Sequence, residues 1–492
     1  MAENDLGRDD KNIARRSFKA VGGVLVFQFA SQFVQVLLTV FLARLLLPED
    51  YGIAALFSLF WGIGVVFING GFAAALVQRR KITETDLNSV FCFNLAAGLF
   101  CCAAVSLLAP RIAHFYDRDV LEPVLKALAW TFPLNALVYV QNALAARRLK
   151  PFLTTLSVFA ANVIAGCAAV FLALRGFGVW AIVWQRLLFC LFYAVAVSLF
   201  IRWVPKLRLS FRSLRRLFPY GSKLLAIDFM DAVTANFANM VIGKHYSSET
   251  LGLYSRADYY ARLCPTSIQA AISGVLFPAL SKFQDDVPRL RAALRRAMAL
   301  AAFAVVPLPI LVCALCKPLI LLLLGEKWLL SLPYWWLVTM AVISLPVQRV
   351  NLQLFKAVGR SDICLLLEIV KKVFYAVGIA VLVFWGIIPM LICEIVFSLV
   401  CIYVFSYFTG RDFGYGMAGQ LHDFLPYPAL GAAAGVLAWG LYRIITPVSA
   451  WAGLILPAAA GGAAYLALNA LFRTAAFREA VRLFKGQTRG KQ

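Results

Sequence analysis

The chain has 492 residues, 62% hydrophobic and 14% charged, against about 25% charged in an average soluble protein. With a mean hydropathy of +0.81, that composition excludes a soluble globular domain and implies an integral membrane protein. The net charge of +23 raises nucleic acid as a partner, but its placement argues against it: with the N-terminus in the cytoplasm, about 31 Lys and Arg fall in inside segments against about 7 outside, the bias of a helical membrane protein.

Apolar runs recur from residue 20 to 472, each long enough for the roughly 20 helical residues that cross about 30 Å of hydrocarbon. Helices rather than a β-barrel fit runs of that length. About fourteen spans are predicted, near 20–46, 52–77, 88–109, 121–145, 152–174, 177–201, 218–243, 252–280, 297–324, 332–355, 363–385, 388–408, 424–443 and 451–472. Segment 1–19 is too polar for a signal-peptide core and the first apolar run is too long for one, so a retained cytoplasmic N-terminus is expected. The predicted fold class is an all-α integral membrane protein of about 14 transmembrane helices, built as two six-helix lobes plus two C-terminal helices. The lobes are 20–201 and 218–408, joined by a basic cytoplasmic linker at 202–217. A cytoplasmic loop at 409–423, spans at 424–472 and a basic cytoplasmic tail at 473–492 complete the chain.

The two lobes are suggested by an internal echo. Residues 44–52 read RLLLPEDYG and residues 244–252 read KHYSSETLG, 200 residues apart. In both, a cation ends an apolar helix, a short link carries an acid (Glu49, Glu249), and a glycine (Gly52, Gly252) opens the next helix. A second echo pairs 133–147 with 346–360, through amide-bearing helices into a basic loop. Six spans per half would give both halves the same orientation, a parallel pseudo-twofold repeat. Two related lobes flanking a central site are a transporter plan.

Ionisable groups at membrane depth cost about 2.5–3.5 kcal/mol each on insertion scales, so they face protein or a water-filled cavity. The substrate-cavity candidates are Arg44, Asn69, Arg186, Asn236, Arg256, Tyr259, Tyr260, Arg262, Arg349 and Gln353. Arg44 is equally a helix-end anchor, Asn69 beside Gly70 and Gly71 equally marks a hinge, and Asp258 lies one turn from Arg262, where the two can neutralise each other. Asp228 and Asp231, three apart on one helix face, and Glu394, with no acid or base nearby in its span, are candidates for ion coupling. His114, His245 and His422 are scattered, with no zinc or Ser-His-Asp grammar. No metal site and no cofactor are expected. The eleven cysteines fall in apolar spans, so packing rather than disulfides is expected. The one fragment with a catalytic look is Asp117-Arg118-Asp119, in a short outer loop.

Five blocks in order, FLARLLLPEDYGIAALFSLF (41–60), GFAAALVQRRKITETDLNSVFCFNL (71–95), GFGVWAIVWQ (176–185), LGLYSRADYYARLCPTSIQAAISGVLFPALSKFQDD (251–286) and LLLLGEKW (321–328), resemble the polysaccharide transporter family of lipopolysaccharide, capsule and exopolysaccharide flippases, in its WzxC-like branch. The resemblance covers roughly 15–410 and implies the MATE- and MurJ-like fold of the multidrug/oligosaccharidyl-lipid/polysaccharide exporter superfamily. It implies a secondary transporter rather than an enzyme, moving undecaprenyl-diphosphate-linked oligosaccharide across a bacterial cytoplasmic (inner) membrane by alternating access. Both termini would be cytoplasmic, membrane lipids would surround the chain, and a polysaccharide polymerase or assembly proteins would be its partners. Protons, sodium, the membrane potential or the substrate gradient all stay open as the drive. A MATE-like drug or organic-cation antiporter is the nearest alternative; a membrane glycosyltransferase or polymerase acting on lipid-linked sugars is the different-class one.

Overall fold

The computed structural model describes residues 27–482 apart from 29, 80, 81, 149, 150, 285, 447, 448 and 480. The expected N-terminal segment 1–19, the start of the first expected span and the tail beyond 482 therefore lie outside the described residues. Every regular element among the described residues is helical, and the chain is a multi-pass membrane protein in which ten helices among the described residues are long and apolar enough to cross a bilayer.

The first compact unit runs to Gly252. It holds α1 (Ala30–Leu45), α2 (Pro48–Asn69), α3 (Phe72–Gln78), α4 (Glu84–Phe115), α5 (Leu121–Arg147), α6 (Pro151–Leu174), α7 (Val179–Ile201), α8 (Phe211–His245) and the first turn of α9 (Ser248–Ser281). Local chemistry sets the boundaries. Pro48 opens α2, where its missing N–H costs nothing. Gly70 and Gly71 adopt left-handed backbone, φ 53° and 69°, which stops α2 and restarts the chain as α3. A Cβ on Gly71 would lie 2.2 Å from the Gly221 carbonyl oxygen, so glycine is also what lets this break approach α8. Thr83 caps α4 by accepting from the Asp86 N–H, while the Asp86 carboxylate takes the Thr83 N–H at 3.0 Å.

Within this unit α8 packs lengthwise along α2. The segment 203–216 is itself tied to the start of α4. Trp203 Nε1 donates to Glu84 (3.3 Å), Lys206 N–H to Asn88 (2.7 Å), Ser210 N–H to Ser89 (2.9 Å), and Arg216 pairs with buried Asp86 at 2.6 Å. Those side chains satisfy backbone donors that no regular structure serves. Beneath them Phe72, Leu76, Leu87, Val90, Val140, Leu144, Val197, Ile201 and Leu217 form a buried cluster.

The second unit begins at Leu253. It contains the rest of α9, α10 (Val287–Ala314), α11 (Glu326–Ala357), α12 (Ser361–Leu382), α13 (Ile387–Phe413), α14 (Met417–Ile445) and α15 (Ala450–Leu471). Its core gathers Leu280, Leu290, Leu294, Met298, Val350, Leu354, Tyr415 and Tyr427. Inside it Asn351 and Gln420 exchange amide hydrogen bonds at 2.8 and 3.2 Å, with Thr409 and Ser406 donating to them. A buried polar group so fully partnered specifies packing rather than exposing a site. Charges stand within three further long helices: Asp228 and Asp231 on α8, Arg256, Asp258 and Arg262 on α9, and Glu368, Lys371 and Lys372 on α12.

The two echoed hairpins meet. A Cβ on Gly52 would lie 1.8 Å from the Ser248 carbonyl oxygen, and one on Gly252 would lie 1.8 Å from the Pro48 carbonyl oxygen. The first turns of α2 and α9 thus cross backbone to backbone, each glycine facing the residue that opens the other helix.

Candidate functional site

In the first unit the polar groups line the seam between α2 and α8. Asn239 reaches Ser58 at 3.5 Å, and Asn236 donates to its own helix at Ala232 O (2.9 Å). A Cβ on Gly62 would stand 3.0 Å from the Asn236 amide nitrogen, so glycine at 62 gives that amide its room. One turn away Trp61 stacks on Phe132, centroids 5.6 Å apart at 19°. The Arg186 guanidinium of α7 lies 4.4 Å from the Trp61 ring centroid. A cation over the face of an indole is attracted by the ring quadrupole and keeps its N–H edge free to donate. Sequence reasoning missed Trp61: nothing in spacing connects residues 61, 132 and 186.

Asn69 is half-buried at the end of α2, and its side-chain oxygen is buried with no hydrogen-bond partner among the described residues. Asp228 is half-buried and Asp231 exposed on α8. Arg44 is exposed at the end of α1. Its counterpart in the second hairpin, Lys244, is used structurally: it donates to Phe115 O, pairs with Asp117 at 3.2 Å, and lies 4.7 Å from the Phe115 ring centroid. Arg118 donates to Tyr246 O at 3.1 Å. The Asp117-Arg118-Asp119 fragment therefore braces a hairpin through its first two residues.

In the second unit Arg262 stands between two carboxylates, with Nε 2.6 Å from Asp258 and Nη2 2.5 Å from Glu394. The local Asp258–Arg262 pairing is as the i, i+4 spacing suggests; Glu394 joins from α13, 132 residues away. Glu394 is the most shielded of the three, 13% exposed against 30% and 31% for Arg262 and Asp258. With all three ionised the group carries one net negative charge. Elsewhere on α9 the Arg256 guanidinium lies 5.1 Å from the Tyr259 ring centroid, and Tyr260 packs against Trp335 at 5.5 Å. On α11, Arg349 is exposed and Gln353 half-buried. Their neighbour Gln348 accepts from Lys371 of α12 at 3.0 Å.

The cavity between α12 and α13, about 240 Å³, is apolar apart from Glu394 and Tyr375 in its wall, and Phe374, Gly378, Ile379 and Phe397 line it. The structure thus sorts the candidate residues into an aromatic-backed cation with amides in one unit, and a cation between two acids beside an apolar cleft in the other.

A family model described as polysaccharide biosynthesis protein matches residues 41–333, more than half of the chain. Among curated relatives, the succinoglycan biosynthesis transport protein ExoT of Rhizobium meliloti (strain 1021) is 24% identical over 59% of this chain and 59% of its own. The teichuronic acid biosynthesis protein TuaB of Bacillus subtilis (strain 168) is 24% identical over 61% of this chain and 62% of its own. The chain therefore spans about three fifths of the length of each of these two relatives. The lipopolysaccharide biosynthesis protein WzxC of Escherichia coli (strain K12) is 22% identical over 76% of this chain and 75% of its own. Among solved structures, the lipid II flippase MurJ in an inward closed conformation superposes with a TM-score of 0.73 at 13% identity, covering 93% of this chain and 99% of that one. An inward-facing MATE family multidrug transporter of the MOP superfamily gives 0.57 at 13% identity, covering 82% and 95%. Such low identities establish a shared fold, and the predicted MurJ- and MATE-like class is the observed one. By the extent of the family match, this chain belongs to the polysaccharide biosynthesis protein family.

Proposed function

We propose that the chain is a flippase that moves undecaprenyl-diphosphate-linked oligosaccharides across a bacterial cytoplasmic membrane, with both termini in the cytoplasm. The observation that carries this reading is Arg186, a cation at membrane depth seated on the Trp61 ring, in a member of a polysaccharide biosynthesis family. A diphosphate leaving water needs charged hydrogen-bond donors to offset its desolvation, and guanidinium supplies them in pairs. Arg44, Arg256 and Arg349 are the further candidate cations. Asn69, Asn236, Gln353, Tyr259 and Tyr260 offer amides and rings of the kind that sugars engage. The names of the relatives, which speak of succinoglycan transport and of lipopolysaccharide biosynthesis, support the same substrate class.

Energy coupling is assigned to Asp258, Glu394 and Arg262, with Asp228 and Asp231 as the second acidic pair. One net negative charge in the α9–α13 group suits a proton or a sodium ion as the coupled species. The same surplus acid favours a second reading, an organic-cation antiporter. Reconstitution in proteoliposomes with a fluorescent undecaprenyl-diphosphate oligosaccharide separates the two. Protection of the label from an external quencher, lost in Arg186→Ala, is the expected result. Uptake of an organic cation with no movement of the lipid would overturn the flippase reading. Cleavage or elongation of the glycan would point instead to glycosyltransferase or polymerase chemistry.

A further inference from the structure

At the polar edge of the second unit, the chain beyond α15 folds back under α10 and is held there. Arg473 turns in the left-handed region (φ 48°). Thr474 then bonds Asn469 twice, through N–H to the backbone oxygen (3.1 Å) and through Oγ1 to the side-chain oxygen (2.9 Å). Ala476 is 1% exposed in the core with Leu294 and Met298, and its N–H donates to Tyr427 Oη at 3.2 Å. This anchoring places Arg478 and Arg482, one helical turn apart, beside Arg296 around a cavity of about 250 Å³ with Ala299 and Ala476 in its wall.

Three guanidinium groups and one acid, Glu479, line that cavity. Glu479 stands 3.9 Å from Arg482. The neighbouring Arg295 is held by Asp423 through two bonds of 2.7 and 2.8 Å, so the nearby aspartate is committed away from the cavity. Among the described residues no carboxylate pairs with Arg296 or Arg478. The site lies where apolar α15 ends and the apolar part of α10 begins, the level of lipid headgroups. Leu471 and Phe472, immediately before the turn, are 74% and 65% exposed, which is the environment an acyl chain requires. The volume is below the roughly 300–1,000 Å³ of pockets for drug-sized ligands and suits a headgroup.

We propose that Arg296, Arg478 and Arg482 bind the phosphate of an anionic phospholipid headgroup and so pin the C-terminal segment to the membrane edge. Guanidinium pairs recognise phosphate oxygens by charge-assisted bonds, and basic clusters at this level recruit anionic lipid. The site is separate from the proposed transport residues and stands or falls without them.

The test is native mass spectrometry of the full chain in detergent, supplied with phosphatidylglycerol or phosphatidylcholine. The wild type should retain phosphatidylglycerol preferentially. Arg296→Gln, Arg478→Gln and Arg482→Gln together should weaken retention roughly tenfold or more, whereas Arg212→Gln with Arg215→Gln, exposed arginines of α8, should leave it intact. Millimolar inorganic phosphate should not displace the lipid. Unchanged retention in the triple variant overturns the proposal. So does equal loss in the control pair, which would mean diffuse charge, and so does displacement by inorganic phosphate, which would mean a soluble anion. Should the triple variant fail to fold, the single change at exposed Arg478 should still reduce retention several-fold, and no reduction there is equally fatal.

Discussion

Replacing Gly52 or Gly252 with alanine tests the hairpin crossing directly. At either position the new methyl would lie 1.8 Å from a backbone carbonyl oxygen, where ordinary van der Waals contact begins at 3.4 Å. The obstacle in each case is main chain, the Ser248 or the Pro48 carbonyl, which cannot rotate aside as a side chain does. The first turns of α2 and α9 must therefore separate by well over an ångström, and overpacking of that kind costs about 1–3 kcal/mol. Both glycines act at one crossing, so the second methyl enters space the first has already opened. The double variant should fall short of the sum of the singles by about 0.5–3 kcal/mol, the range of coupling between residues in contact. Gly462 is the control: it sits within α15, and a methyl added there would meet nothing within 4 Å, so alanine should be neutral or stabilising by roughly 0.5–1 kcal/mol. Reversible unfolding in mixed micelles, followed by tryptophan fluorescence, measures all four variants. Single variants as stable as wild type, or a strictly additive double variant, would refute the backbone crossing.

The remaining predictions concern charge. Arg262→Gln should destabilise more than Glu394→Gln, because removing the cation leaves Asp258 and Glu394 facing each other while removing the acid leaves a neutral Asp258–Arg262 pair; thermal midpoints in one detergent give the order, and the reverse order would contradict the assigned contacts. Arg186→Lys keeps the charge but loses the planar stack on Trp61, so transport should drop although folding loses no more than about 0.5–2 kcal/mol; full transport with lysine would show that a point charge suffices. Asp86→Asn removes the Arg216 partner and weakens the Thr83 cap at a cost of about 0.5–2 kcal/mol. Trypsin should then cut faster at Arg208 and Arg212, and an unchanged cleavage rate would argue that the segment is held by other contacts.

What the sequence revealed and what it hid divide along chain separation. Fold class was legible because hydropathy is a local sum, and the hairpins at 44–52 and 244–252 were legible because proline, acids and glycine act on the backbone within a few residues. Their meeting was not legible: reciprocal contact of Gly52 with Ser248 and of Gly252 with Pro48 is a fact about two helix ends in space. The same limit separates Asp258–Arg262, visible as an i, i+4 pair, from Glu394, whose partner lies 132 residues away. Arg186 stands out in the sequence by its charge, yet the feature that orients it is an indole on another helix, and a tryptophan in an apolar span reads as packing until a cation is found over its face. Helices α8, α9 and α12 press the point further. Their charges stand inside otherwise apolar sequence, and those same charges are most of what a polar path would require. In a transporter the residues that weaken the hydropathy signal are the ones with the strongest functional reason to be present, so the least convincing spans are the first places to look for the substrate and the coupled ion.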